Sequence, residues 1–172
     1  MAKKKKADYS HLPYRSCVGI MLLNKKGRVW VGRRSQKWIR DITPKVWQMP
    51  QGGIDRGEDP VKAALRELHE ETGVKSVEVL AEIDHWLFYD LPEEALGIAL
   101  RGKYRGQKQK WFAMRFTGKN REIRIDGHSG HKPEFDDWKW VKVKMLPRLV
   151  VPFKRGVYQR VVNQLGYLAD TL

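Results

Sequence analysis

Apolar residues fall in short runs separated by glycine, proline and charge. SCVGIMLLN (16–24) and RVWVGRR (28–34) are strand-like and are joined by Lys25-Lys26-Gly27, which predicts a hairpin. Residues 35–46 are polar with two lone apolar anchors and read as a loop; WQMPQGG (47–53) is a short extended piece broken by Pro50 and the glycine pair. The spacing then predicts a helix over 59–72. Asp59 suits its N-cap, Pro60 its first turn and Gly73 its C-terminal stop. Val61, Ala64, Leu65, Leu68 and Thr72 recur at the spacing of one helical face, which is read as the core side. Strand-like segments follow at 77–83, 86–91, 110–118, 121–125 and 138–143, with 92–109 a charged connection. In 154–170, Val157, Val161, Leu165 and Leu168 return to helical spacing. Strands around one early helix and one late helix predict an α/β domain with a mixed sheet between helices.

Composition adds a charge problem. The 172 residues suffice for one domain, placed at 13–172 behind a basic flexible tail, 1–12, that holds Lys3–Lys6. The formal net charge is +14, from 34 Lys plus Arg against 20 Asp plus Glu. Such a surplus fits either a polyanionic partner, most simply nucleic acid or nucleotides, or a solubilising surface. The single cysteine, Cys17, excludes an internal disulfide and reads as a small core residue. No apolar run approaches the roughly 20 residues of a membrane span, and no secretory leader is visible. A soluble, cytoplasmic protein with no membrane association is expected.

Against that basic background, RELHEETG (66–73) concentrates Glu67, Glu70 and Glu71 on the expected helix. At about 100° per residue they share one sector, read as roughly opposite the apolar face and turned to solvent. Carboxylates so close repel, and in a cleft they must take up protons or bind a cation. Hard oxygen donors select Mg²⁺, Mn²⁺ or Ca²⁺, and no Cys or His cluster in the sequence offers a zinc site instead. A merely solvated acidic face is the alternative. The preceding PQGGIDRGEDP (50–60) favours chemistry: its glycines allow close backbone approach, and exposed N–H groups there suit phosphate oxygens.

These residues resemble the Nudix box. Gly52, Glu58, Arg66, Glu67, Leu68, Glu70, Glu71, Gly73 and Val74 fill its nine specified positions without departure. Beyond the box, PYRSCVGIMLLN, GQKQKWF, PEFDDWKWV and VVPFKRGVYQRVV resemble the RNA pyrophosphohydrolase, or (di)nucleoside polyphosphate hydrolase, family. The resemblance implies an α/β/α sandwich. It implies a Mg²⁺-dependent hydrolase (Mn²⁺ substituting) of phosphoanhydride bonds. It also implies a role in RNA 5′-end processing, with 5′-triphosphorylated or diphosphorylated RNA converted to a 5′-monophosphate.

Carried over by position, Glu67, Glu70, Glu71 and the distant Glu134 are expected metal ligands. Glu67, Glu70 and Glu71 are each candidates for the general base. Arg66, Glu58, Gly52 and Gly73 are expected to shape the loop and helix. Arg15, Arg34, Val151, Phe153 and Lys154 are expected to meet substrate, with core packing open for Phe153 and a solvated strand end open for Arg34. Two features point to a substrate alternative. Residues 35–46, with WLFYDLP, resemble the branch that includes dinucleoside tetraphosphate hydrolases, and Pro152 stands where some relatives carry serine. Dinucleoside polyphosphates such as diadenosine tetraphosphate therefore remain rival substrates. A non-cutting binding module with the same fold is a rival of another class.

Overall fold

The first strand, β1 (Tyr14–Leu23), is buried on both faces, and that sets the layering. The computed structural model describes residues 7–35, 46–128 and 130–172; Lys3–Lys6 and positions 36–45 of the expected loop lie outside the described residues. Alternate residues of β1 point to opposite sides. Val18, Ile20 and Leu22 enter one apolar cluster, and Met21 and Leu23 enter another. A strand covered on both faces reads as a continuous apolar run. Cys17 lies within it, fully buried, and burial pushes its thiol up to about 11.

Seven further strands complete the sheet of the described residues: β2 (Arg28–Arg34), β3 (Trp47–Gln48), β4 (Gln51–Gly53), β5 (Val77–Glu82), β6 (Leu87–Asp90), β7 (Gly106–Phe116) and β8 (Phe135–Lys142). β1 and β7 form the parallel centre, from Tyr14 opposite Gly106 to Leu23 opposite Arg115. The other pairings are antiparallel. β4 joins the first half of β1, β2 its far end through the expected hairpin, β8 and β3 flank β2, and β5 and β6 share β7. Helix α1 (Pro60–Thr72) covers one face, and α2 (Leu146–Leu149) and α3 (Arg155–Leu165) cover the other. This is the expected α/β/α arrangement with a mixed sheet between helices. Among the described residues, no helix is long and apolar enough to cross a membrane.

α1 forms where its caps place it. Asp59 Oδ1 accepts the Val61 and Lys62 N–H groups at 2.9 and 3.3 Å, and Gly73 ends the helix in the left-handed region at φ 74°. The buried face differs from the one expected. Ala63 is buried and Leu65 is 37% exposed, because two small alanines let the helix lie close to the sheet. At about 100° per residue, Glu67 and Glu71 fall between Ala63 and Ala64. Glu67 and Glu71 therefore lie on the packed side of the helix instead of opposing it.

Two other expectations are corrected. Residues 121–125 are not a strand: Asn120–Glu122 is a 3₁₀ turn that closes the end of α1. Arg124 donates its N–H to the Thr72 carbonyl at 2.7 Å, and the Glu122 carboxylate accepts the Lys75 and Ser76 N–H groups. The connection at 92–109 is shorter than expected, since Gly106 to Gln109 already belong to β7. Truncating fully buried Leu68 to alanine is expected to cost about 2–5 kcal/mol. Leu65→Ala should cost far less, within about 1 kcal/mol. Urea unfolding of the two variants checks this, and equal losses would contradict the observed face.

Candidate active site

Short β4 and the turn after it bring the conformationally freest part of the chain against α1. A Cβ on Gly52 would overlap the Glu67 carboxylate, so glycine is what allows the acid to lie along the strand. Arg66 then ties loop to helix. Its Nε and Nη2 donate to the two Glu58 oxygens at 2.8 Å each, and Nη2 also reaches the Gly53 carbonyl at 2.9 Å. Its Nη1 donates to Glu67 Oε1 at 2.9 Å and lies 3.5 Å from Glu70. The bidentate Arg66 contact and the Asp55 N–H hold the Glu58 carboxyl down at about 2. The same contacts raise the Arg66 guanidinium.

The carboxylates facing the cleft behave oppositely. Burial raises the Glu67 carboxyl, although Arg66 opposes the shift. Glu71 is pushed well above the ordinary range by burial first, then by Glu134 and Glu67; the Gln51 N–H, donating at 3.2 Å, only partly offsets this. Glu134 approaches from the residue before β8 and accepts from Arg34 Nη1 at 2.9 Å. Glu67, Glu71 and Glu134 line a cleft of about 420 Å³ together with Arg15, Arg34 and Gly52. A smaller cavity of about 140 Å³ next to it is lined by the same three acids and Glu70.

The structure thus brings Glu67, Glu70, Glu71, Glu134, Arg15, Arg34 and Gly52 together. Arg66 and Glu58 join them through the bonds above, whereas Val151, Phe153 and Lys154 do not line that cleft. Val151 is buried in the core beneath α3, and Phe153 is half-buried with its ring 5.6 Å from that of Tyr89. Lys154 is only 1% exposed, and burial moves its ammonium well below the ordinary lysine range. Its Nζ donates to Gln51 Oε1 at 2.9 Å and lies 5.3 Å from the centre of the Tyr89 ring.

Gln51, Gln107 and Gln109 form a floor that the sequence reading did not single out. Gln109 Nε2 donates to Gln51 and Gln107 side chains at 3.2 and 2.9 Å, and Trp111 Nε1 donates to Gln109 at 3.0 Å. Gln51 and Gln107 line the cleft, so this chain of amides joins it to buried Lys154. The signal was the alternation Gln-Lys-Gln-Lys at 107–110. On a strand it turns glutamines to one side and lysines to the other.

Residues 13–161 match the NUDIX domain. The chain belongs to the Nudix family. A Nudix relative from Agrobacterium fabrum is 56% identical over 161 residues, covering 92% of this chain and 95% of the relative. Another from Mesorhizobium japonicum is 54% identical over 172 residues, covering 98% and 99%. Both bear the name RNA pyrophosphohydrolase. A solved structure of a C. elegans Ap4A hydrolase superposes at a TM-score of 0.62 with 19% identity, covering 91% of this chain and 98% of that one, a likeness of fold.

Nudix hydrolases typically use a divalent metal. Among the described residues, no three His, Cys, Asp or Glu side chains already stand together at coordinating distance. Arg66 and Arg34 engage Glu67 and Glu134 instead. The donor chemistry nevertheless fits a hard cation. All the donors are carboxylate oxygens, and Glu67 and Glu71 are destabilised as anions in a way that a cation relieves.

The Arg66–Glu58 pair makes acid stability a test of the loop. Glu58 titrates at about 2 in the fold and near ~4.3 in the unfolded chain. Its contribution is therefore complete above pH ~4.3 and is lost as pH falls toward 2. Glu58→Gln should melt below wild type at neutral pH, and the gap should close on acidification. A gap unchanged down to pH 2 would contradict the pairing.

Proposed function

We propose that this chain is an RNA pyrophosphohydrolase. It removes the 5′-terminal polyphosphate of RNA in the cytoplasm, with residues 13–172 acting as one unit. The observation that carries the reading is the cleft in which Glu67, Glu71 and Glu134 face Arg15 and Arg34. The names of relatives more than half identical across nearly the whole chain support RNA as the substrate.

Glu67, Glu70, Glu71 and Glu134 would hold Mg²⁺, with Mn²⁺ able to substitute. When bound, the metal supplies charge neutralisation on the polyphosphate and acidification of water. Arg15 and Arg34 bind phosphate oxygens and orient the 5′ end at the cleft mouth. Glu67, Glu70 and Glu71 are the candidates to take the proton from the attacking water. The water oxygen bonds to phosphorus, the phosphoanhydride P–O bond breaks, and pyrophosphate leaves a 5′-monophosphate end. Arg66, held by Glu58 and the Gly53 carbonyl, keeps Glu67 against the strand. The amide floor orients Gln51 and keeps Lys154 buried beneath the cleft, out of direct contact with phosphate.

Turnover of 5′-triphosphorylated RNA and of diadenosine tetraphosphate, each with Mg²⁺, tests the assignment. A higher kcat/KM for the RNA is expected, and preference for the dinucleotide would overturn it. Glu71→Gln should lower kcat by at least about 100-fold with melting temperature kept or raised, because a strained anion is removed. Near-normal turnover at saturating Mg²⁺ would refute the role given to Glu71.

A further inference from the structure

A further cavity lies away from the carboxylates. It is a groove of about 840 Å³ at the opposite end of the central strands. The active-site cleft is lined by Arg15 and Gln107, near the starts of β1 and β7. The groove is lined by Asn24, just past the end of β1, and by Arg115 and Phe116, which end β7. The eight steps from Arg15 to Leu23, at ~3.3 Å each, separate them by about 26 Å. The groove opens on the sheet face that α1 covers, since Phe116 and Trp140 belong to the same apolar cluster as Leu68.

The lining has two components. Lys25, Lys26, Arg28, Arg115 and Lys119 supply positive charge; among the described residues no acidic side chain lines the groove, although the Glu122 carboxylate lies against Gly118 at its edge. Arg115 pairs outward with Glu78 at 3.2 Å. Phe116 and Trp140 stack at 5.8 Å with their planes 28° apart, and Trp140 Nε1 donates to Asn120 Oδ1 at 3.2 Å, which fixes the ring. A basic groove beside a partly exposed, oriented aromatic is the chemistry that binds single-stranded nucleic acid: cations follow the backbone while a base stacks.

We propose that this groove binds the body of a single-stranded RNA whose 5′ end lies in the carboxylate cleft. The identity of the strand rests on the RNA reading above. The separation of about 26 Å along the strands sets a minimum of roughly eight stacked nucleotides at ~3.4 Å each. Shorter substrates therefore occupy the cleft alone, and longer ones gain the second contact.

The test uses the full chain and the combined variant Lys25→Glu, Lys26→Glu, Lys119→Glu. All three residues are exposed and outside the active site, and matching melting temperatures would verify folding. A fluorescent 12-nucleotide RNA with a 5′-hydroxyl end reports groove binding without hydrolysis. The variant should bind it at least tenfold more weakly near 0.1 M salt. The slope of log Kd against log salt should fall by about 2, at ~0.7 per lost phosphate contact. Turnover of a 5′-triphosphorylated dinucleotide should stay within twofold of wild type, while the extra kcat/KM of a triphosphorylated 12-mer disappears. Unchanged affinity and salt slope would overturn the proposal. So would displacement of the RNA by poly-glutamate as effective as by unlabelled RNA, which would make the groove a site for acidic protein. If wild type cleaves no triphosphorylated RNA, the hydrolase reading fails, and the 5′-hydroxyl binding measurement still decides the groove.

Discussion

Glu67 and Glu71 lie on the sheet side of α1, where burial makes both reluctant to ionise, and Glu134 reaches the same cleft from the far side of the sheet. Like charges held this close in a partly dry site repel strongly. The fold tolerates them through a rigid frame. Arg66 grips Glu58 with two hydrogen bonds and uses its remaining Nη1 to hold Glu67. Gly52 makes room for that carboxylate, and the Gln51 N–H meets Glu71. Among the described residues, these contacts still leave the Glu67 and Glu71 carboxyls raised. On the proposed function, that strain makes the site receptive to a divalent cation and, through it, to phosphate.

The cations are arranged around these acids. Arg15 and Arg34 stand at the cleft, within reach of a polyphosphate. Lys154 lies beneath it, bonded to Gln51 and sealed from water. Five more basic side chains gather some eight residues further along β1 and β7, beside Phe116 and Trp140. On the proposed reading, one parallel strand pair carries a cutting end and a holding end, and the net charge of +14 acts over both.

Much of this was legible in the chain because the local signals agreed. Asp59, Pro60 and Gly73 bracket α1 to the residue, and the spacing of Glu67, Glu70 and Glu71 marks the chemistry. The failures have specific causes. Leu65 matched the apolar period, but packing distance decided in favour of Ala63, and that turned Glu67 and Glu71 toward the sheet. Residues 121–125 alternate like a strand, yet the Glu122 and Ile123 N–H groups bond back to Lys119 and Asn120 and the Arg124 N–H bonds the end of α1. Gln107 and Gln109 looked like part of a charged connection because their partners Gln51 and Lys154 are remote in sequence. Glu134 has no local signal and came only through family resemblance. The burial of Lys154 is likewise a tertiary fact.

The central claim is that acids made reluctant to ionise by the fold are relieved by a divalent cation. The most direct measurement is Mg²⁺ titration calorimetry near pH 6, repeated in buffers of different ionisation enthalpy, on wild type and on Glu71→Gln. If the account is right, binding releases protons, since raised carboxyls must ionise to hold the metal. The release should shrink in the variant. Mg²⁺ binding with no proton release, or no binding even with a non-hydrolysable polyphosphate present, would contradict it.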